Sequence, residues 1–146
     1  CPRSDAALSQ RPARAGEMKE PIWVDKADAQ SFHEEMLVRF GGLPGVRDEG
    51  LLESALHRPR QLLGYGQPDL FDLAAAYASG IVRNHPFLDG NKRAGFMAAA
   101  LFLEINGHSF QASEEDVVLQ TFGLAAGKIT AKAYARWLRA SSGVKG

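Results

Sequence analysis

Ala94–Leu103 is a run of ten residues without a single charged or hydrogen-bonding side chain. It is half the length that a membrane-spanning helix needs, about 20 apolar residues. It is also apolar on every face, so a helix built from it must be surrounded by other protein. Gly90 or Asn91 opens that helix and Asn106-Gly107 stops it. The rest of the chain has to supply amphipathic partners, and its periodicity does.

Asp25 stands at an N-cap position, and Ala29, Phe32, Met36 and Phe40 follow at one-face spacing, which predicts a helix over Lys26–Phe40. Gly41-Gly42-Leu43-Pro44-Gly45 breaks it. Asp48 caps a second helix, Glu49–His57, with Leu51, Leu52, Ala55 and Leu56 as its apolar stripe. Arg58–Pro68, with two prolines and two glycines, reads as an irregular loop. Asp69 caps a third helix ending near Asn84. After the apolar helix, Ser113 opens Glu114–Ala126 with Asp116 at the third position, and Thr130 opens Ala131–Ala140. Pro21–Val24 is a short β-prone run. The expectation is an all-α, compact bundle of about six helices around a buried central helix, with almost no strand.

Residues 1–17 show no periodicity and no secretory-signal layout, so a disordered extension or expression remnant is expected there, with the domain starting at Met18 and running to residue 146. The initial Cys points to processing or truncation. Hydrophobic residues make up 45% and charged residues 23%, ordinary for a globular domain. Lys+Arg and Asp+Glu both number 17, so neither duplex DNA nor a membrane surface is indicated as a partner. Lys128, Lys132, Arg136, Arg139 and Lys145 form a local basic stretch without an acid. The lone Cys1 excludes an internal disulfide framework and fits a cytoplasmic location.

The chemistry concentrates in His85-Pro86-Phe87-Leu88-Asp89-Gly90-Asn91-Lys92-Arg93. An imidazole, a carboxylate, an amide and two cations sit where a loop enters a buried helix. The open N–H groups of a helix start and its dipole attract anions, and Lys92 and Arg93 add charge at that place. Phosphate is the natural guest. Asp89 suits a Mg²⁺ ion bridging phosphate oxygens, and His85 suits proton removal from an incoming hydroxyl. Phe87 is expected to point into the core. Taken singly, a Gly-Asn helix start and a loop histidine are ordinary; their contiguity is what argues for a site. P-loop, Rossmann, zinc-protease and His-Asp phosphohydrolase motifs are all missing, and a cysteine nucleophile is not expected.

His85–Arg93 resembles the Fic/Doc family signature, His-x-Phe-x-Asp/Glu-Gly-Asn-x-Arg. Gly45–Leu56, Asp69–Ala75 and Leu101–Gly107 also resemble that family, so the likeness runs over about Glu20–Ser141. It is most like the death-on-curing, or Doc, branch, the toxins of type II toxin–antitoxin pairs. The resemblance implies an ATP- and Mg²⁺-dependent transferase. His85 would be the base, Asp89 a metal-handling or assisting acid, and Gly90, Asn91, Lys92 and Arg93 the phosphate cradle, with Arg93 steadying the transferring phosphoryl. AMP-transferring Fic proteins carry Gly at the position of Lys92 and Arg at the position of Phe96. Both departures point to Doc-like transfer of the γ-phosphate to a Ser/Thr hydroxyl of elongation factor Tu or a similar translation factor. Protein adenylylation and a non-catalytic module of an antitoxin regulatory complex are the alternatives. The Arg58–Pro68 loop falls where the family's flap docks its target, making Arg58, Arg60 and Tyr65 candidates. The self-inhibitory Ser/Thr-x-x-x-Glu-Gly/Asn helix is missing, since Met36 follows Ser31 and Glu35. Inhibition would then come from an antitoxin whose tail helix lies in a groove of the bundle.

Overall fold

A computed structural model describes residues 20–144. The extension expected over residues 1–17 and the basic Lys145 lie outside the described residues. The elements, in chain order, are α1 (Lys26–Phe40), α2 (Glu49–Tyr65), α3 (Leu70–Asn84), α4 (Asn91–Ile105), β1 (His108–Phe110), α5 (Glu114–Ala125), α6 (Ala131–Ala140) and β2 (Ser142–Val144). The fold is all-α, and the only sheet among the described residues is the antiparallel pair β1–β2, with Ser109 opposite Gly143. Strands of three residues are too short to carry a period-two signal, which is why the sequence pattern did not announce them.

Five of the six helices start on a capping side chain. Asp25, Asp48, Asp69, Ser113 and Thr130 each accept the amide of the residue three positions on. Each such cap contributes about 1 kcal/mol. Helix α4 starts on Gly90 instead and has no capping side chain.

The deepest helix is α3, in which every residue from Leu73 to Val82 is buried. The apolar run in α4 is central only on one face: Ala94, Gly95, Ala98, Ala99, Phe102 and Leu103 are buried, while Phe96, Met97, Ala100 and Leu101 are half-exposed. The reason is side-chain size. Ala74, Ala75, Ala76, Ala78 and Gly80 make α3 thin enough for α2 and α4 to close on it together. At Gly80 an added Cβ would lie 3.2 Å from Ala55 of α2; at Gly95 of α4 it would lie 2.9 Å from Val82 and 3.1 Å from the Ala78 carbonyl. Gly95→Val is therefore expected to destabilise the fold. Helix propensity favours Val over Gly by a few tenths of a kcal/mol, but overpacking a tight contact costs about 1–3 kcal/mol. A thermal melt with a lower midpoint checks this, and an unchanged one would disprove the close contact.

Helix α2 does not stop at His57. It continues through Pro59 to Tyr65 because its buried stripe, Leu52, Ala55, Leu56 and Pro59, keeps helical spacing across the proline. Packing there outweighs the roughly 3 kcal/mol that an interior proline costs. The β-prone Pro21–Val24 run is extended but forms no strand. The Asn106 side chain accepts from Ile22 N and donates to Ile22 O, both at 2.8 Å, and Val24 N donates to the Tyr77 hydroxyl at 2.9 Å. Burial pushes Tyr77 up to about 12, so this anchor stays protonated.

Candidate active site

The turn between α3 and α4 is locked from three sides. His85 ends α3 in the left-handed conformation, φ 49 and ψ 55, the only non-glycine residue with positive φ among those described. Such a conformation costs a non-glycine residue about 1–3 kcal/mol unless its surroundings fix it, and here they do. Arg47 donates from Nε to the His85 carbonyl at 2.7 Å and from Nη2 to the Asn84 carbonyl at 2.9 Å. The Arg47 and Asp48 amides both donate to the Pro86 carbonyl, and Val46 bridges Phe87 in antiparallel fashion. From below, Asn91 accepts from Phe87 N at 2.9 Å and donates to Phe87 O at 3.0 Å. From α1, buried His33 donates from Nε2 to the Asp89 carbonyl at 2.8 Å and stacks on Phe87, ring centroids 3.9 Å apart. Phe87 is buried, as expected.

These bonds sort the polarity of the turn. The carbonyls of Asn84, His85, Pro86, Phe87 and Asp89 all accept from protein donors. The amides of Asn91, Lys92 and Arg93, at the uncapped start of α4, have no protein acceptor among the described residues. Carbonyls turned inward and amides left open make an anion-binding end. Gly90, φ 76, supplies the left-handed step that aims the helix start.

The side chains complete it. Arg93 is exposed, its guanidinium carbon 3.9 Å from the Phe40 ring centre, and Lys92 Nζ is 5.1 Å from that of Phe122. Exposed Asp89 accepts from Gly90 N on Oδ1 at 2.8 Å and from Leu43 N on Oδ2 at 3.2 Å. Gly42, φ 125, permits that approach, since a Cβ there would lie 3.0 Å from Asp89 Oδ2. A groove of roughly 1120 Å³ starts at Asp89–Arg93 and runs over the outer face of α4 between α1 and α5; Phe96, Met97, Ala100 and Leu101 are among its lining. Exposed His85 lines a separate recess of roughly 470 Å³ with Lys92, Lys128 and the end of α5. Lys92 and Phe122 line both and form the ridge between them.

The fold thus brings His85, Asp89, Gly90, Asn91, Lys92 and Arg93 to one end of the bundle. Asn91 contributes differently than expected: its side chain is buried and used inside the turn, leaving its backbone amide for the cradle. Arg58, Arg60 and Tyr65 do not lie on a loop beside the motif. They sit on α2, at about 10, 13 and 21 Å along the axis from Leu51 at 1.5 Å per residue, and Leu51 is where α2 touches the turn through Asn84. They line neither the groove nor the recess, and the Arg60 guanidinium carbon lies 5.2 Å from the Trp23 ring centre. The segment that pairs with the motif is Gly42–Arg47, whose first part the sequence presents as a helix break and whose Gly45–Arg47 opens the family-like stretch to Leu56, with no contact to the motif foreseen. Its glycines and Pro44 were the available signal. His33 and Phe40 were also missed, because apolar periodicity assigns such positions to packing.

A family model described as the Fic/DOC family matches residues 23–103, more than half of the chain. The chain belongs to the Fic/Doc family. It is 37% identical to the protein kinase doc of Escherichia phage P1 over 110 residues, which is 75% of this chain and 86% of that protein. It is 48% identical to the toxin Doc of Mycolicibacterium smegmatis over 73 residues, 48% of this chain and 55% of that protein. Within the Fic/Doc family both relatives place it with the Doc branch. No helix among the described residues is long and apolar enough to cross a membrane.

Proposed function

We propose that this Fic/Doc protein is the toxin of a toxin–antitoxin pair that transfers the γ-phosphoryl group of ATP to a Ser/Thr hydroxyl of a translation factor of the elongation factor Tu type. The observation that carries the reading is the inward-carbonyl, open-amide turn, which sets Arg93 and three helix-start amides at the head of the groove, with exposed His85 in the adjoining recess that Lys92 also lines. The name of the phage P1 relative, a protein kinase, supports transfer of phosphate.

His85 takes the proton of the target hydroxyl as that oxygen bonds to the γ-phosphorus. The bond from phosphorus to the bridging oxygen breaks, and the electron pair leaves with ADP. Arg93 and the amides of Asn91, Lys92 and Arg93 balance charge on the phosphoryl oxygens, where removing one such donor typically costs about 10²–10³ in rate. A Mg²⁺ ion supplies further charge neutralisation when bound. Asp89 fits it, because each carboxylate oxygen holds only one backbone amide and keeps a lone pair free. No cluster of three or more His, Cys, Asp or Glu stands among the described residues, which suits an ion held by one carboxylate plus phosphates and waters. Phosphate transfer is favoured over AMP transfer because Phe96, at the position of the second arginine, packs in an aromatic cluster with Phe110 and Trp137 and offers no cation. The antitoxin's tail helix fits the groove along α4, whose floor is apolar and open.

Labelling a lysate with γ-³²P- and α-³²P-ATP tests the reaction. Label is expected from the γ position only, with the target gaining about 80 Da on a Ser or Thr. Label from the α position, or an adduct of AMP size, would replace this reading with adenylylation.

A further inference from the structure

Helix α1 meets the site along one stripe. His33, Met36 and Phe40 stand three and four residues apart and so share a helix face. His33, 3% exposed, holds the Asp89 carbonyl. The Met36 methyl fills the space beside Gly90, 2.4 Å from where a Cβ would stand. Phe40, in the last turn, lies against the Arg93 guanidinium at 3.9 Å. Each of these three contacts is to a group of the anion site, and His33 also stacks on the core residue Phe87. Phe40 is 52% exposed, so burial does not explain its place. A guanidinium stacked on a ring uses its face, while its donors lie in its plane and stay open to phosphate oxygens. The ring thus restrains a flexible side chain without consuming its hydrogen bonds.

We propose that α1 is the positioning element of the phosphate cradle: Phe40 sets where the Arg93 guanidinium waits, and His33 fixes the Asp89 carbonyl so that the α4 amides stay open. This rests on the reading that the turn binds a phosphate chain, and not on the transfer that follows.

The test is calorimetric titration of the full chain with inorganic tripolyphosphate and with Mg-ATP, alongside thermal melts. Phe40→Leu is expected to weaken tripolyphosphate binding about three- to tenfold with an unchanged melt, and Phe40→Tyr to stay within about twofold of the parent. In an Arg93→Ala background, Phe40→Leu is expected to cause no further loss, because the two act through one contact. His33→Leu is expected to weaken binding, while His33→Gln, which keeps a donor, retains most of it. Parent-like affinity in Phe40→Leu, or an equal loss with and without Arg93, overturns the role of Phe40. Equal affinities of the two His33 variants overturn that of His33. A parent that binds tripolyphosphate but transfers nothing from ATP leaves this inference standing and removes the proposed reaction. A parent that binds neither anion overturns both.

Discussion

Replacing His85 by Ala is expected to lower the rate of transfer about a hundred- to ten-thousandfold, the range over which a positioned general base acts, and to remove growth arrest at equal expression. The fold should survive. His85 is exposed, and its backbone is held by its own amide to Ile81 O and by Arg47 at its carbonyl, not by its imidazole. The left-handed backbone adds a small penalty for Ala, so His85→Asn, which tolerates that conformation better, is the matched control. Both variants should melt within a few degrees of the parent and both should be inactive. An Ala variant as toxic as the parent would remove His85 from the chemistry, and an inactive variant that also fails to melt cooperatively would point to the turn rather than the base.

Asn91→Leu is expected to produce the largest stability loss of any single change in the motif. The side chain is 8% exposed and pairs with both the amide and the carbonyl of Phe87. Leucine leaves both groups unpaired, at about 1–3 kcal/mol for each buried group, or roughly 3 kcal/mol as a working figure. For a domain of this size that corresponds to a melting point lower by about 10 °C. Asn91→Asp keeps the acceptor for Phe87 N but turns a second oxygen toward the Phe87 carbonyl and places a charge at a buried position, so it should also melt below the parent. Melts followed by circular dichroism, with phosphate binding measured below the transition, separate loss of fold from loss of cradle. Melting midpoints equal to the parent's in both variants would contradict the locked turn.

How far the sequence revealed this site depends on the kind of interaction. Helix starts were legible wherever a side chain did the capping, as at Asp25, Asp48, Asp69, Ser113 and Thr130, because one residue carries the whole signal. The motif was legible because its groups are contiguous. Pro59 misled because the penalty of an interior proline is local, while the packing of Leu52, Ala55 and Leu56 that overrides it is tertiary. The depth of α3 was hidden because alanine and glycine score as weakly apolar, although their small size is what lets two neighbours approach. Arg47, His33 and Phe40 act on the turn from positions 38, 56 and 53 residues away from the groups they touch, and no local pattern encodes such a meeting. Arg58, Arg60 and Tyr65 stand on α2 and not on a loop because the same tertiary packing carries that helix through Pro59.

The open floor of α4 has a thermodynamic consequence. Phe96, Met97, Ala100 and Leu101 are only half-buried, so their apolar surface can still be taken out of water. A helix that settles into that groove buries this surface, and its binding should show a negative heat-capacity change. The same ligand binds only the folded chain and so raises the melting point with its own concentration. Silencing and preservation would then be one event: the partner that stops the enzyme also keeps the stopped enzyme intact, and its removal exposes an active protein at its least stable.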